Sequence, residues 1–209
     1  MASLEVSLEF ASLRLPGHCP LGVWVIPSPT NIYQWQGVLF IHRGYYAGAI
    51  YRFVLEIPTS YPSSPPVVRF TTECFHPLVD PQTGRFDIRS KFPAWRARTD
   101  FLCHVLHFIK STFKRAGLER IKDEDSVQNK EAFRLYRDQT HIFATLAAQS
   151  AILSASPSTL QAESNSNEVI QFKELDDQQW QSIRSRMLGT AAEAGTSSTT
   201  ADATNKKSQ

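Results

Sequence analysis

The stretch that decides the fold lies at residues 61–88 and reads YPSSPPVVRFTTECFHPLVDPQTGRFDI. The prolines at its start cannot donate the hydrogen bonds of a strand ladder, so they predict a fixed crossing of the chain. The β-branched and aromatic run VVRFTT, which follows them, predicts a strand. An irregular segment that contains His76, Pro77 and Gly84 comes next. The stretch therefore predicts a strand that leads into a long loop.

Three more strand-like runs precede this stretch, and they read GVWVIP, YQWQGVLFIH and AIYRFVLEIP. Each is rich in β-branched and aromatic residues, and short segments holding Pro, Gly, Asn or Arg separate them. In the third run Tyr51, Phe53 and Leu55 alternate with Arg52 and Glu56 on the other face. That period of two is typical of a sheet with one face on a core. Together with VVRFTT, the runs predict a four-stranded antiparallel meander.

Apolar residues at helical spacing predict the helices that cover this sheet. One apolar stripe runs through TDFLCHVLHFIKSTFKR, for which Thr99 or Asp100 is the expected N-cap. The members of the stripe are Leu102, Val105, Leu106, Ile109 and Phe113. A long helix is predicted from Ser126 onward, a short one near the N-terminus and a last one near residues 176–188. The predicted fold class is therefore α+β, a meander with flanking helices.

The composition changes toward the end of the chain and divides it into three predicted parts. Residues 1–150 are expected to form the core domain, and residues 151–188 a linker with a C-terminal docking helix. The Ser-, Asn- and Ala-rich stretch from Ser154 to Glu168 has little to bury, which predicts a loop. Residues 189–209 lack large apolar side chains, so a disordered tail is expected there.

The composition favours a folded protein without a membrane span or a bound metal. Of the 209 residues 42% are hydrophobic, but no apolar run reaches the roughly 18 residues that a membrane helix needs. The start of the chain lacks the pattern of a signal peptide, so a cytoplasmic protein is expected. Cys19, Cys74 and Cys103 lack paired metal-ligand spacing, and His104 and His107 lack a third ligand at comparable spacing. We expect neither a metal nor a cofactor.

Charge is distributed unevenly along a chain whose formal net charge is +2. Residues 85–122 hold 10 Lys/Arg against 3 Asp/Glu, a net charge of +7. A solvated helix face explains such a block, and so does a protein-interaction surface. Nucleic-acid binding would explain it as well, but the segment has no recognisable recognition motif. Nucleic acid is therefore not an expected partner.

The order of the predicted elements and the motifs of the opening stretch resemble the ubiquitin-conjugating enzyme (E2) family, over roughly residues 4–145. His76 and Pro77 match the family's structural His-Pro pair, and Gly84 matches its glycine. Trp95 matches the tryptophan that follows the active-site loop. The resemblance implies the ubiquitin-conjugating (UBC) fold.

The resemblance also implies that two catalytic groups are missing. The position three beyond Gly84, where the family has its cysteine, holds Asp87, and Leu78 stands where E2 enzymes have an asparagine that supports the oxyanion. A carboxylate is a weak nucleophile whose anhydride is prone to hydrolysis, and a leucine side chain has no hydrogen-bond donor. Neither Cys74, before the loop, nor Cys103, within an apolar helix, is expected to replace the thiol. A degenerate site without enzymatic activity is implied.

A subfamily match is stronger still. The run FHPLVDPQTGRFDI followed by FPAWR resembles the inactive E2 variants of the AKT-interacting protein, fused toes and crossbronx subfamily. This implies a protein-interaction adaptor that joins Hook-type coiled-coil microtubule linkers and an FHIP partner in cytoplasmic vesicle trafficking. The alternative is a ubiquitin-binding E2 variant, which would bind ubiquitin or an active E2 and assist that conjugating enzyme.

Overall fold

An antiparallel sheet of five strands organises the first unit of the computed structural model, Met1–Phe172, while Lys173–Gln209 form a second unit. The structure describes residues 2–162 and 169–193. In chain order and in sheet order the strands are β1 (Val23–Pro27), β2 (Gln34–Phe40), β3 (Ile50–Glu56), β4 (Val67–Phe70) and β5 (Arg85–Phe86). The predicted α+β fold is confirmed. Strand β5 adds to the predicted four, because two residues are too few to show a period in the sequence.

Alternation along the strands places one face of the sheet on the core. Tyr51, Phe53 and Leu55 of β3 are buried there, and Trp35 of β2 lies opposite Leu55. Gly37 pairs with Phe53, whose ring occupies the space above the glycine: a Cβ at Gly37 would lie 2.3 Å from the ring. A glycine is therefore needed at this position so that the aromatic ring can cover its neighbouring strand.

Helix α2 (Leu102–Thr112) covers this face, as its apolar stripe predicts. The buried members of the stripe are Leu102, Val105, Leu106, Ile109 and, just beyond the helix, Phe113. The Phe113 ring centroid lies 5.6 Å from that of Tyr51 and 5.9 Å from that of Phe70. Helix and sheet thus share one aromatic core.

The start of α2 differs from the prediction. Its N-cap is Phe101, so the expected cap at Thr99 or Asp100 is wrong. The Asp100 carboxylate accepts the main-chain N–H of Arg96 at 2.8 Å and is ion-paired with the Arg96 guanidinium at 2.9 Å. Because this carboxylate already holds the preceding turn, it is not used at the helix end.

A carboxylate from another helix takes its place. Glu9 of α1 (Ala2–Ser12) accepts the Leu102 N–H at 2.6 Å with one oxygen and the Tyr61 hydroxyl with the other. Burial raises the pKa of the Glu9 carboxyl, although both hydrogen bonds act in the opposite direction. An acceptor 93 positions away in the sequence cannot be found by local capping rules.

The long helix predicted from Ser126 is also wrong, because the segment forms several shorter helices. Ser126 lies in a 3-10 turn, Glu124–Ser126, that ends before the first of them begins. These helices are α4 (Lys130–Asp138) and α5 (Thr140–Ser154), whereas the short helix α3 (Arg115–Leu118) lies before Ser126. Gln139, with φ of −139° and ψ of 59°, is not helical and separates α4 from α5. The apolar spacing continues across this single residue, so the sequence pattern does not reveal the break.

Two serines one turn apart attach α5 to the sheet and to the segment after β4. Ser150 shares a hydrogen bond of 2.9 Å with the buried Tyr51 hydroxyl and accepts the Phe75 N–H at 3.2 Å. Ser154 accepts the Ile50 N–H at 3.1 Å. These hydroxyls satisfy main-chain donors that would otherwise be buried without a partner.

The C-terminal part of the chain holds two further helices. Helix α6 (Pro157–Ala162) lies where a loop was predicted, and positions 163–168 of that predicted loop are outside the described residues. In the second unit α7 (Asp177–Glu193) corresponds to the helix expected near residues 176–188. The predicted disordered tail falls on the last residues of α7 and then, from position 194, outside the described residues. The division at 150 and 188 stays a prediction.

The length and hydrophobicity of the helices bear on whether one of them could span a membrane. Within the described ranges, no helix is both long enough and apolar enough to cross a membrane.

Replacing a fully buried residue of α2 tests the core. Leu106 is 0% exposed, and we expect Leu106→Ala to lower the free energy of unfolding by about 2–5 kcal/mol through lost burial and the cavity left behind. Leu8→Ala, at a position that is 60% exposed on α1, is the matched control and should change it by no more than about 0.5 kcal/mol. Denaturant unfolding measures both. Equal losses of stability in Leu106→Ala and Leu8→Ala would show that Leu106 is not part of the core.

Candidate functional site

The loop after β4 closes on itself through a tight turn at residues 80–84. The Asp80 side chain accepts the main-chain N–H groups of Gln82 and Thr83, and the Asp80 carbonyl accepts that of Gly84 at 2.8 Å. Gly84 has φ of +69°, and a Cβ there would lie 2.1 Å from the carbonyl oxygen of Phe70. Only glycine fits this approach. The turn delivers the chain to β5, with Asp87 directly after it.

His76 ties the beginning of the loop to the end of α2. Its ring is completely buried; Nδ1 accepts the Leu78 N–H at 3.1 Å, and Nε2 lies 3.2 Å from the Thr112 carbonyl oxygen. Because Nδ1 accepts, the proton belongs on Nε2, which donates to Thr112. Burial lowers the pKa of His76 to about 4, so the imidazole is neutral at physiological pH. His76 has a structural place in the loop.

Pro77 links the same part of the loop to the start of α4. Its carbonyl oxygen accepts the main-chain N–H groups of Gln128 at 3.1 Å and Asn129 at 3.0 Å. Asn129 is itself the N-cap of α4, since its side chain accepts the Ala132 N–H at 2.9 Å. One carbonyl therefore fixes where α4 begins relative to the loop.

Leu78 and Asp87 face each other across the loop. The Asp87 N–H donates to the Leu78 carbonyl at 2.8 Å, and next to them Val79 and Phe86 form a β-bridge. The Leu78 side chain is fully buried. The positions that the sequence singled out, His76, Leu78, Gly84 and Asp87, are therefore brought together in one folded segment.

The Asp87 carboxylate is enclosed by donors. Arg89 donates its main-chain N–H to Oδ1 at 2.8 Å and a guanidinium N–H to Oδ2 at 2.6 Å, and Gln128 donates to Oδ2 at 3.0 Å. The Asp87 side chain is 4% exposed, whereas that of Arg89 is 72% exposed. Burial raises the pKa of the Asp87 carboxyl, but the hydrogen bonds from Arg89 and Gln128 outweigh it and leave the pKa below its ordinary value.

Arg89 and Gln128 are not among the residues that the sequence predicts for this site. Arg89 lies two positions after Asp87, so an Asp-x-Arg pair was visible, but nothing in the sequence says that the two side chains point the same way. Gln128 lies 41 positions away and reaches the carboxylate only because Pro77 anchors the segment before α4. No local signal could have found that contact.

A shallow cleft of about 320 Å³ borders Asp87. Its walls come from Pro65 and Pro66 of the crossing, from Arg85 and from Arg89. Trp95 holds the crossing in place from beside the cleft, since its indole N–H donates to the Pro62 carbonyl at 2.8 Å. One side of the cleft is thus anchored by Trp95, and the carboxylate at its edge is already hydrogen-bonded.

The cysteines lie in surroundings that disfavour a thiolate. Burial raises the pKa of the Cys74 thiol, and it also raises the pKa of Cys19 and Cys103. Cys74 lines a different cleft from the one beside Asp87. A raised thiol pKa reduces the fraction of the nucleophilic form at neutral pH.

The two α2 histidines make separate contacts. His104 accepts the Phe101 N–H with Nδ1 at 3.3 Å, and His107 Nε2 lies 2.7 Å from the Gly17 carbonyl oxygen. Across residues 2–162 and 169–193, no group of three or more His, Cys, Asp or Glu side chains is arranged to hold a metal ion.

Comparison with known proteins gives a family for this architecture. The model of the ubiquitin-conjugating enzyme family matches residues 9–151. Protein crossbronx of Drosophila virilis is 35% identical over 140 residues, which cover 65% of this chain and 57% of that protein. AKT-interacting protein of Danio rerio is 33% identical over 120 residues, 56% of this chain and 41% of that protein. The chain spans about half the length of these relatives.

Acid should destabilise the protein through His76. Between pH 6.5 and about 4 the unfolded state binds a proton that the buried ring of the folded state does not. The contribution of the neutral His76 ring to stability is therefore complete above pH 6.5. The free energy of unfolding should fall by about 3 kcal/mol as the pH drops to 4. Denaturant unfolding across this range measures the fall, and NMR titration of the His76 ring assigns it.

The controls for this pH dependence use two histidines. His76→Asn, which keeps one donor and one acceptor, should flatten the pH dependence, whereas His141→Gln at an exposed position should leave it unchanged. A His76 ring that titrates above pH 6 would contradict its structural role.

Proposed function

The chain belongs to the ubiquitin-conjugating enzyme family, within its crossbronx and AKT-interacting protein subfamily of E2 variants, and from this we propose that it is a catalytically inactive adaptor that acts by binding other proteins. The observation that carries the proposal is the Asp87 carboxylate, bonded to Arg89 and Gln128 at the position matched to the catalytic cysteine. An ion pair there stabilises the loop and leaves no free nucleophile.

The chemistry of acyl transfer also supports a catalytically inactive protein. A thioester forms when a thiolate attacks an activated carbonyl, whereas a carboxylate would form an anhydride that water cleaves. Asp87 would also have to leave its hydrogen bonds to Arg89 and Gln128 before it could attack. The buried Leu78 side chain offers no donor to an oxyanion.

We expect no ubiquitin thioester on this protein. Incubation with ubiquitin-activating enzyme, ATP and ubiquitin, followed by a non-reducing gel, is the measurement, with an active conjugating enzyme as the positive control. Stoichiometric, reductant-sensitive adduct that disappears in Cys74→Ser or Cys103→Ser would show that another thiol does the chemistry.

Restoring the thiol alone should not restore activity. In Asp87→Cys the oxyanion support is still missing at Leu78, which in acyl transfer is worth about 3 kcal/mol, or more than a hundredfold in rate. Comparison of Asp87→Cys with the double variant Asp87→Cys, Leu78→Asn measures that contribution. Efficient ubiquitin chain formation by the single variant would contradict the assignment of Leu78.

The proposed partners are Hook-type coiled-coil adaptors together with an FHIP-like protein, in cytoplasmic vesicle trafficking. The subfamily resemblance supports this set, and the name of the Danio rerio relative records one further protein partner, AKT. The basic residues around the loop offer a rim for an acidic partner, since Arg85 and Lys91 are exposed. Rim charges mainly set the rate of encounter.

A ubiquitin-binding E2 variant is the competing proposal. Such a variant would orient an acceptor ubiquitin for an active conjugating enzyme, so it would copurify with that enzyme. The adaptor would copurify with coiled-coil proteins instead. The retained UBC fold is compatible with both roles, and the identity of the copurifying proteins separates them.

Partner binding should survive the loss of every candidate catalytic group. Affinity purification from cells with the triple variant Asp87→Ala, Cys74→Ser, Cys103→Ser is expected to recover the same partners as the wild-type protein, because none of the three side chains is needed for binding. Circular dichroism verifies that the variant is folded. Loss of partners from the folded triple variant would show that the loop chemistry matters and would overturn the adaptor proposal.

A further inference from the structure

The face of the sheet that points away from α2 is covered by the chain itself. On this outer face Trp24, Val38 and Arg52 lie side by side across β1, β2 and β3, and Ile26 lies beside Gln36. Val38 is 1% exposed and Arg52 is 5% exposed, a burial that is unusual for an arginine. Arg52 is covered by a short segment near the end of the first unit and by Leu160 of α6.

The covering segment is Val169–Phe172, which we call the strap. Gln36 Oε1 accepts the N–H of Val169 at 2.8 Å and that of Ile170 at 3.4 Å. The Arg52 guanidinium donates to the Ile170 carbonyl at 3.1 Å and, with its other terminal nitrogen, to the Leu160 carbonyl at 3.1 Å. Gln36 and Arg52 therefore bind main-chain atoms of the strap. These hydrogen bonds do not depend on which side chains the strap carries.

An aromatic residue supplies the side-chain contact. The Phe172 ring lies over the Arg52 guanidinium, with 4.9 Å from Cζ to the ring centroid, and 6.4 Å from the Phe40 ring. Ile170 borders a small gap above β2 and β3, while Gln171 between them is exposed. The strap thus alternates inward and outward as an extended peptide does.

The strap leaves part of the apolar face uncovered. On β1, the edge strand, Trp24 is 68% exposed and Ile26 is 37% exposed. Both side chains share the face that Val38 and Gln36 present to the strap. A longer peptide laid on this face could make the strap's contacts and also bury Trp24 and Ile26, and this extra apolar burial would offset part of the entropy that a separate peptide loses on binding.

We propose that this outer face is a binding surface for an extended peptide of a partner protein that carries an aromatic residue, and that the strap is its intramolecular occupant. Gln36 and Arg52 bind the main chain of either occupant, and Phe172 is displaced by the aromatic residue of the partner. The partner half of the proposal rests on the adaptor function, whereas exchange of the strap is a property of the purified chain.

Peptide binding to the full-length protein tests the exchange. The probe is a fluorescent peptide of residues 169–175, VIQFKEL, followed by anisotropy. The wild-type protein, with its strap in place, is expected to bind it at least tenfold more weakly than the release variant Ile170→Glu, Phe172→Ala. In the release variant, Gln36→Met should weaken binding at least tenfold because the acceptor for two N–H groups is lost. A peptide with alanine in place of phenylalanine should bind at least tenfold more weakly.

Three comparisons keep the result interpretable. Lys173→Ala, at an exposed position just after the strap, should bind the probe as weakly as the wild type. Circular dichroism verifies folding, and Phe172→Ala alone replaces the release variant if that variant does not fold. Equal affinity of wild type and release variant, absent binding to a folded release variant, or binding that ignores Gln36→Met would each overturn the proposal.

The affinity purification described above is independent of this assay. If the triple variant keeps its partners while the peptide assay fails, the adaptor proposal stands and the outer face is the wrong surface. If the peptide assay succeeds while the triple variant loses its partners, the surface stands and the adaptor proposal fails.

Discussion

The buried imidazole of His76 is the interaction on which the rest of the site depends. A polar ring with no access to water must have both nitrogens satisfied, and here one accepts the Leu78 N–H while the other donates to the Thr112 carbonyl. The ring also packs 4.6 Å from the Phe113 ring, centroid to centroid. These contacts fix the loop to α2, and the Pro77 carbonyl then fixes the start of α4. The loop is thus held by the helices.

In the proposed adaptor, this loop keeps the shape of the family while its chemistry differs. The turn closed by Gly84 delivers position 87 to a fixed place beside Leu78, where a reactive group would be presented to a neighbouring cleft. The carboxylate at that place is buried together with its charge, which is costly unless the charge is paired. Arg89 and Gln128 provide the pairing, so Asp87 contributes to the loop as a structural ion. An adaptor of the proposed kind would present this preformed loop to its partners, and a preformed surface loses little conformational freedom on binding.

The outer face of the sheet suggests how binding could be controlled. Arg52 is buried with the strap in place, and a buried guanidinium needs acceptors that the sheet's own carbonyls, already used in the ladder, do not supply. The strap supplies main-chain acceptors and donors without joining the strand ladder. The strap could therefore leave the sheet without breaking a hydrogen bond of the strand ladder.

The sequence by itself determined the four long strands, the apolar stripe of α2 and the identity of the residues in the loop, because period-two and period-3.6 patterns and glycine or proline positions are local properties. It also determined that position 87 carries a carboxylate. The tertiary structure alone decided what that carboxylate does, since Gln128 reaches it from 41 positions away. It likewise decided that Glu9 caps α2 from 93 positions away and that Arg52 binds the strap more than a hundred positions further on. Hydrogen bonds between distant segments depend on where packing brings their main chains, and no local pattern encodes that placement.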